Sequence, residues 1–415
     1  MGGDRLRIHR LARELARRFE LTLLTFCESE EQKRAPLPQD GVFAHVHRIV
    51  LPAWRSWLNV LLALPGRQPL QVAYYQSGEF RKAVEALAPS HDVVLAHLVR
   101  TADYVRDMRT IRLLEMTDAI SMSMKRVSST KLGYFDLRRF VYAVESGRLA
   151  DYERAVVRDF DLVSLNSPVD RSFLFNSQDD CERHVIVAPN GVDLPTALPP
   201  PITARRPDEI VFVGNLYSLQ NFDAAWFFAE HVLPRVRERR PGAYLRIIGP
   251  IRKWAAKRLA GLPGVHVEGF VPDLTLALST ARVGVCAARI CSGMQNKLLD
   301  YFANRIAVVC SSNAFEGLEA RVGEQLLLAD SLEDWVNHIV RLLTDDLLAQ
   351  RLADAGRTLA GEHYRWARCA APLMARLEHL VVERLACAPA KALVPPPVPS
   401  TWTEIDAPRS KSSAM

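Results

Sequence analysis

Val283-Gly284-Val285-Cys286-Ala287, followed by Arg289-Ile290-Cys291-Ser292-Gly293-Met294-Gln295-Asn296-Lys297-Leu298-Leu299-Asp300-Tyr301-Phe302-Ala303, reads as a short apolar strand running through a turn into a helix that opens at Gly293. A strand without polar alternation is buried on both faces, as in a parallel sheet covered by helices. The surrounding sequence repeats this unit. Ile210–Val213, Leu245–Ile248, Val265–Val267 and Ala307–Cys310 are further apolar strands, each separated by a helix-length segment. Asn221 is expected to cap a helix whose inner face is Phe222, Ala225, Trp226, Ala229, Leu233 and Val236. The alternation predicts a doubly wound α/β domain.

A second such series precedes it. With Asp4 placed to cap its first turn, a helix carries Ile8, Leu11, Leu15 and Phe19 at spacings of three and four, and a basic face of Arg5, Arg10, Arg13, Arg17 and Arg18. Strands are predicted at Leu21–Phe26, Val42–Leu51, Val93–His97, Leu113–Met116, Leu162–Leu165 and Val185–Ala188. Between the two series lies Ala188-Pro189-Asn190-Gly191-Val192-Asp193, followed by Pro195, Pro199, Pro200 and Pro201, which reads as a linker. Open sheets bind ligands outside the carboxyl ends of their strands, so two of them facing one another would make a cleft with loops on both walls. One element is short. A doubly wound domain places its first strand in mid-sheet, yet only Met1, Gly2 and Gly3 precede the first helix, and three residues at about 3.3 Å each cannot cross a sheet. The expectation is a first strand encoded upstream, in a reading frame starting roughly ten or more residues earlier.

Composition narrows the class. The chain has 415 residues, 49% apolar and 24% charged, which suits two ordinary globular cores and excludes disorder, collagen and coiled coil as descriptions of the whole. Lys and Arg number 53 against 47 Asp and Glu, a mild +6 that fits small anions or an anionic membrane surface as well as nucleic acid. The 7 Cys are scattered without a Cys-x-x-Cys pair, which points to reduced thiols in a cytoplasmic protein and away from zinc. No apolar run reaches the roughly 18 residues that span a bilayer. The nearest is Leu51–Pro65, with Trp54, Trp57, Leu58, Val60, Leu61, Leu62 and Leu64, expected to be a buried core helix rather than an interfacial patch. A Walker lysine loop, a Gly-x-Gly-x-x-Gly after a strand, a Gly-x-Ser-x-Gly elbow and an Asp-x-Asp after a strand are all absent, which counts against nucleotide hydrolysis, dinucleotide redox chemistry, a hydrolase triad and a metal site.

The stretch Arg289–Ala303 carries the candidate chemistry. A helix start offers unpaired N–H groups and a positive dipole end, where a diphosphate would sit. Lys297 adds a point charge and Arg289 a planar fork, while the Asp300 carboxylate suits a pair of ribose hydroxyls; a solvated helix with ordinary charges is the other reading.

Taken together, Gly-Gly-Asp-Arg at residues 2–5, Tyr142–Glu153 with Glu145, Arg148, Leu149, Tyr152 and Glu153, Pro-Asn-Gly-Val-Asp at 189–193, Phe-Val-Gly-Asn at 212–215, Asn221–Pro234 and Met-Gln-Asn-Lys-Leu-Leu-Asp at 294–300 resemble the family 4 glycosyltransferases of GT-B fold. More narrowly, they resemble the sugar transferases of exosortase-associated exopolysaccharide loci, over roughly residues 2 to 386. The resemblance implies an acceptor-binding Rossmann-like domain at 1–190, a nucleotide-sugar-binding domain at 191–365 and a helix at 366–387 crossing back to the first domain; beyond it, Pro395, Pro396, Pro397 and Pro399 and the small polar residues at the end make a disordered tail at 388–415 the expectation. It implies sugar transfer with retention from a nucleotide diphosphate donor to a saccharide or lipid-linked acceptor, without a metal and with no role for nucleic acid.

By the same resemblance, Asp300 would bind ribose, and Lys297, Arg289 and the backbone at Gly293, Met294 and Gln295 the phosphates. Gly214 and Asn215 would line the donor site, and Gly269, Phe270 and Val271 the nucleobase. His97 would lie near the donor sugar, Asp118 would orient the acceptor hydroxyl, and Gly2 and Gly3 would form the acceptor-side loop. For His97 a backbone-bonded strand end, and for Asp118 a capping or turn role, are the other readings. The chain departs from the family where a paired Glu is replaced by Ser292 and where a phosphate-binding Arg is replaced by Asn215. These departures keep open a degenerate sugar-binding scaffold, and an epimerase or hydrolase of nucleotide sugars remains a further alternative.

Overall fold

The computed structural model describes residues 3–37, 40–129, 136–175, 184–291 and 293–387. Gly2, Cys181, Ser292 and the Pro-rich tail therefore lie outside the described residues. Gly3–Ala188, joined by the chain from Ala370, form one compact unit, and Pro189–Cys369 form the other.

In the first unit, β1 (Thr22–Cys27) pairs in parallel with β2 (His45–Val50), and β3 (Val93–His97), β4 (Ile111–Thr117), β5 (Leu162–Leu165) and β6 (Val185–Val187) form a four-stranded parallel sheet in that order. Among the described residues no hydrogen-bonded register joins β1 to β3. Both nevertheless feed one core, in which Leu24 and Phe26 of β1 and Val94 of β3 pack against a buried cluster containing Leu114, Met116, Val163 and Leu165. The helix Gly3–Leu15 turns Leu11 and Leu15 onto the opposite face, where Ile111, Leu113 and Leu162 meet Ala370, Leu373 and Leu377 of the last helix, Trp366–Cys387.

A helix at Asp136–Val156 acts as a bracket in this unit. The Glu145 carboxylate accepts the Leu70 and Gln71 N–H groups at 2.5 and 3.3 Å, and Glu153 accepts from Ile120 N at 2.9 Å and from the Ser121 hydroxyl. Tyr152 donates to Asp103 at 2.6 Å, and Arg148 donates to the Leu64 carbonyl at 3.2 Å. Glu145 and Glu153 thus satisfy the orphan N–H groups of two helices that supply no cap of their own.

The second unit is a six-stranded parallel sheet with the order β12 (Leu327–Leu328), β11 (Ala307–Cys310), β10 (Val283–Cys286), β7 (Glu209–Val213), β8 (Tyr244–Ile248), β9 (Val265–Gly269). The doubly wound α/β reading therefore holds. Chain order runs outward in both directions from β7, so the switch point lies between β7 and β10. These two strands pair only at Ile210 with Val283 and Val211 with Gly284. Beyond that point Tyr301 takes over. Its hydroxyl accepts from Val213 N at 2.9 Å and lies 3.3 Å from the Val211 carbonyl and 3.2 Å from that of Val285. The ring fits because residue 284 is glycine: a Cβ there would stand 2.6 Å from Tyr301 Cγ.

Four sequence expectations change. Leu51–Pro65 is not a core helix: on Ala53–Ala63 the only buried residue is Ser56, while Trp54 is 69% and Leu62 71% exposed. Periodicity alone cannot tell which face of an amphipathic helix turns inward. Ser218, not Asn221, caps the helix Leu219–Phe227, which leaves the Asn221 side chain free for tertiary contacts. The helix after β10 begins at Asn296 rather than at Gly293, whose φ of 62° makes the turn before it. The stretch expected as a linker is packed at Pro189–Asp193, where Val192 N donates to the Tyr364 carbonyl at 2.6 Å.

Replacing Tyr301 by Phe removes the partner of the part-buried Val213 N–H and should cost about 1 kcal/mol or somewhat more. Thermal unfolding should show a drop of roughly 2–4 °C per kcal/mol. Gly284→Ala, which drives a carbon into the ring, should cost at least as much in the same measurement.

Candidate functional site

The site begins where β7 and β10 part. Helix Leu219–Phe227 follows β7 and helix Asn296–Ala303 follows β10, so their starts converge at the carboxyl end of the sheet. The two helices are tied by side chains. Lys297, 7% exposed, donates from Nζ to Asn221 Oδ1 at 2.6 Å and stands 5.0 Å from the Phe212 ring centroid. Asn221 in turn donates from Nδ2 to the Asn215 carbonyl at 3.1 Å. Arg289 spends its fork on Asp223, with Nε to Oδ2 at 3.0 Å and a second bond to Oδ1, and lies over the Phe227 ring.

Asp300 lies one turn beyond Lys297. Burial pushes its carboxyl up to about 7, against the pull of the Lys297 ammonium and with the help of Asp193. Gln295 takes the cap position without a side-chain capping bond, and the buried Asn296 Oδ1 has no hydrogen-bond partner. Met294 is buried beside them. An amide-rich helix start with a sheltered ammonium is suited to an anion, and a carboxylate a turn further on is suited to paired hydroxyl donors.

The structure thus brings together Asn215, Lys297 and Arg289, with Gly214 N donating to the Ile248 carbonyl beside them at the end of β7. Gly269 ends β9, two strands away, with φ of 80°; Phe270 next to it is 69% exposed and Val271 packs into the core. Asn221 and Asp223 are the residues sequence reading missed as site components. Their signal was present, since two polar side chains occupy the first turns of a helix already capped by Ser218.

In the first unit, a buried carboxylate organises the strand ends. Glu115 on β4 is inaccessible to solvent and accepts from Arg7 Nε at 2.8 Å, His97 Nδ1 at 2.7 Å, Thr117 N at 3.1 Å and Thr117 Oγ1 at 2.9 Å. The Arg7 guanidinium and His97 hold its carboxyl down at about 2 despite burial. An ionised acceptor fixes the proton on His97 Nδ1 and leaves Nε2 as the outward nitrogen. Backbone strain gathers beside it, since Leu98 and Thr117 have φ of 64° and 63°. His97 is therefore held by a carboxylate rather than by backbone. Asp118 does not cap the helix that follows: Asp170 accepts the Ala119 N–H at 2.9 Å and Glu153 the Ile120 N–H. Asp118 instead accepts from Asn166 Nδ2, and burial together with the neighbouring Asp170 pushes its carboxyl upward. Gly3 is the first residue of the opening helix.

A doubly wound sheet with a polar cluster at its switch point, preceded by a unit of parallel strands, fits the GT-B architecture, and solved structures agree over nearly the whole chain. Sucrose-phosphate synthase from Thermosynechococcus elongatus matches 92% of this chain and 94% of its own, with a TM-score of 0.67 and 16% identity. Anabaena Alr3699/HepE, crystallised with UDP and glucose, matches 91% and 96%, with a TM-score of 0.60 and 13% identity. Residues 207–345 match the family described as glycosyl transferases group 1. A 191-residue stretch is also 26% identical to an uncharacterized 44.6 kDa protein in the cps region of Klebsiella pneumoniae; the match spans 42% of this chain and about half, 48%, of that protein.

The buried acids predict how stability follows pH. Glu153 is pushed up to about 7 by burial, and a folded value above the unfolded one means that its contribution is present below the unfolded value of about 4.3 and is lost as pH rises through 7. Glu115, held at about 2, acts oppositely: its contribution is present above about 4.3 and is lost as pH falls toward 2. Urea unfolding should therefore become easier as pH rises from about 4.5 to about 7 and level off above that, with a slope of at most about 1.4 kcal/mol per unit for each proton. Glu153→Gln should flatten that slope.

Proposed function

We propose that this protein is a retaining glycosyltransferase that moves a sugar from a nucleoside diphosphate sugar to a saccharide or lipid-linked acceptor in polysaccharide synthesis. The carrying observation is the junction between β7 and β10, where a sheltered lysine, a helix start and a carboxylate one turn on lie in the order of phosphate and ribose. The family match over 207–345 falls on this unit, and the relative in a cps region suits the pathway class. That Anabaena Alr3699/HepE has been crystallised with UDP-glucose favours a UDP-linked donor over a GDP- or ADP-linked one.

In this reading Lys297 and the amides at Gly293, Met294 and Gln295 meet the diphosphate, without a divalent ion, as charge develops on the leaving oxygen. Arg289 is already paired with Asp223, so it acts by holding the second turn of its neighbouring helix and lends the phosphates only its remaining charge. Asp300 receives the ribose hydroxyls, and the base lies toward Gly269 and Phe270. As the bond from the anomeric carbon to phosphate oxygen breaks, its electron pair goes to the diphosphate. The acceptor oxygen bonds to the same face of that carbon, and its proton passes to the departing phosphate oxygen. His97, through Nε2, addresses the donor sugar, and Asp118 orients the acceptor hydroxyl. The enzyme works in the cytoplasm.

Thermal shift against UDP, GDP, ADP and their sugars tests the donor site. One nucleotide should stabilise the protein by several degrees, and Lys297→Ala and Asp300→Ala should each abolish the shift; equal shifts in both variants and wild type would place the nucleotide elsewhere. Because paired hydroxyls favour the ionised Asp300, nucleotide binding should release a proton near neutrality and tighten as pH rises from about 6 to about 8. Calorimetry in two buffers of different ionisation enthalpy reads that proton, and Asp300→Asn should remove it.

A further inference from the structure

We propose that the helix Ala53–Ala63 and the turn after it form a docking surface for an anionic phospholipid membrane. A helix on a globular domain ordinarily turns its apolar stripe inward. This one does the reverse. Trp54, Trp57, Leu58, Leu61, Leu62 and Leu64 are 69%, 60%, 46%, 62%, 71% and 50% exposed, while Ser56 is 1% exposed. A contiguous apolar face of this size marks an interaction site.

The face is held in this orientation from behind. Asn59 donates from Nδ2 to the Gln76 carbonyl at 2.9 Å, Arg148 donates to the Leu64 carbonyl at 3.2 Å, and Trp57 meets Tyr74 edge-on at 5.8 Å between ring centroids. The short helix Leu70–Tyr74 beside it is anchored through the buried Glu145. The outward display is thus built into the polar contacts of the unit.

Charge selects the occupant. No Asp or Glu occurs between Gly41 and Gly78, whereas Arg55 and Arg67 lie on the exposed side of the same segment. Tryptophan and leucine at the depth of the headgroups, flanked by arginines whose stems lie along apolar surface, are the chemistry of an interfacial helix on an anionic leaflet. A protein interface of equal area would be chosen by shape, and nothing here would require the acidic side chains to be missing. No described helix is long and apolar enough to cross a membrane, so the contact is one of lying on the surface.

Sedimentation of the full chain with sucrose-loaded vesicles tests this, using phosphatidylcholine alone and phosphatidylcholine with phosphatidylglycerol. The wild type should pellet with the anionic vesicles and much less with the neutral ones. The combined Trp54→Ser, Trp57→Ser, Leu61→Ser, Leu62→Ser variant should bind at least roughly tenfold more weakly, since it loses several buried apolar groups. Arg55→Glu with Arg67→Glu should weaken binding and reduce its salt dependence. All six positions are exposed, so unchanged thermal unfolding will show that each variant is folded. Wild type remaining in the supernatant, variants binding as well as wild type, or a wild-type dimer that the serine variant abolishes would each overturn the proposal. Donor binding is read without lipid, so failure here and failure of the transferase reading are separate results.

Discussion

The second unit depends on a parting of strands. Once β7 and β10 have exchanged their two rungs, their backbone groups need partners that are not each other. The Tyr301 hydroxyl supplies them, and glycine at 284 leaves the room its ring requires. The wedge keeps the carboxyl ends apart and sets the helix Asn296–Ala303 at a fixed depth, since Tyr301 belongs to that helix. Lys297 and Asp300, four residues and one residue before it, are placed by the same contact.

A comparable role falls to Glu115 in the first unit. Burying an ionised carboxylate is costly unless its lone pairs are filled, and here a guanidinium, an imidazole, an amide and a hydroxyl fill them. Arg7 comes from the opening helix, His97 from β3 and Thr117 from the end of β4, so one oxygen pair joins the helix layer to two strands. The order of that corner follows from charge compensation more than from apolar packing.

Much of the fold was legible in the residues. Continuous apolar strands such as Ile210–Val213 and Val283–Cys286 lie in the sheet as read, because burial on both faces leaves no other use for them. The site was legible in part. Lys297 and Asp300 announced themselves by their place after a strand, but Asn221 and Asp223 did not. Arg289 illustrates the limit, since a cation in a phosphate-like context turned out to face a carboxylate 66 residues away.

By itself the sequence determined the alternation of strands and helices, the parallel pairing of the strands and the segment in which the polar cluster would be found. These are local matters of periodicity and composition, readable within a dozen residues. Only the tertiary structure decided the order of the strands around β7, the partner of each charge and the outward turn of the Trp54–Leu64 face. An amphipathic pattern has two sides and a charge has many candidate partners, and neither choice is made until distant segments share the same space.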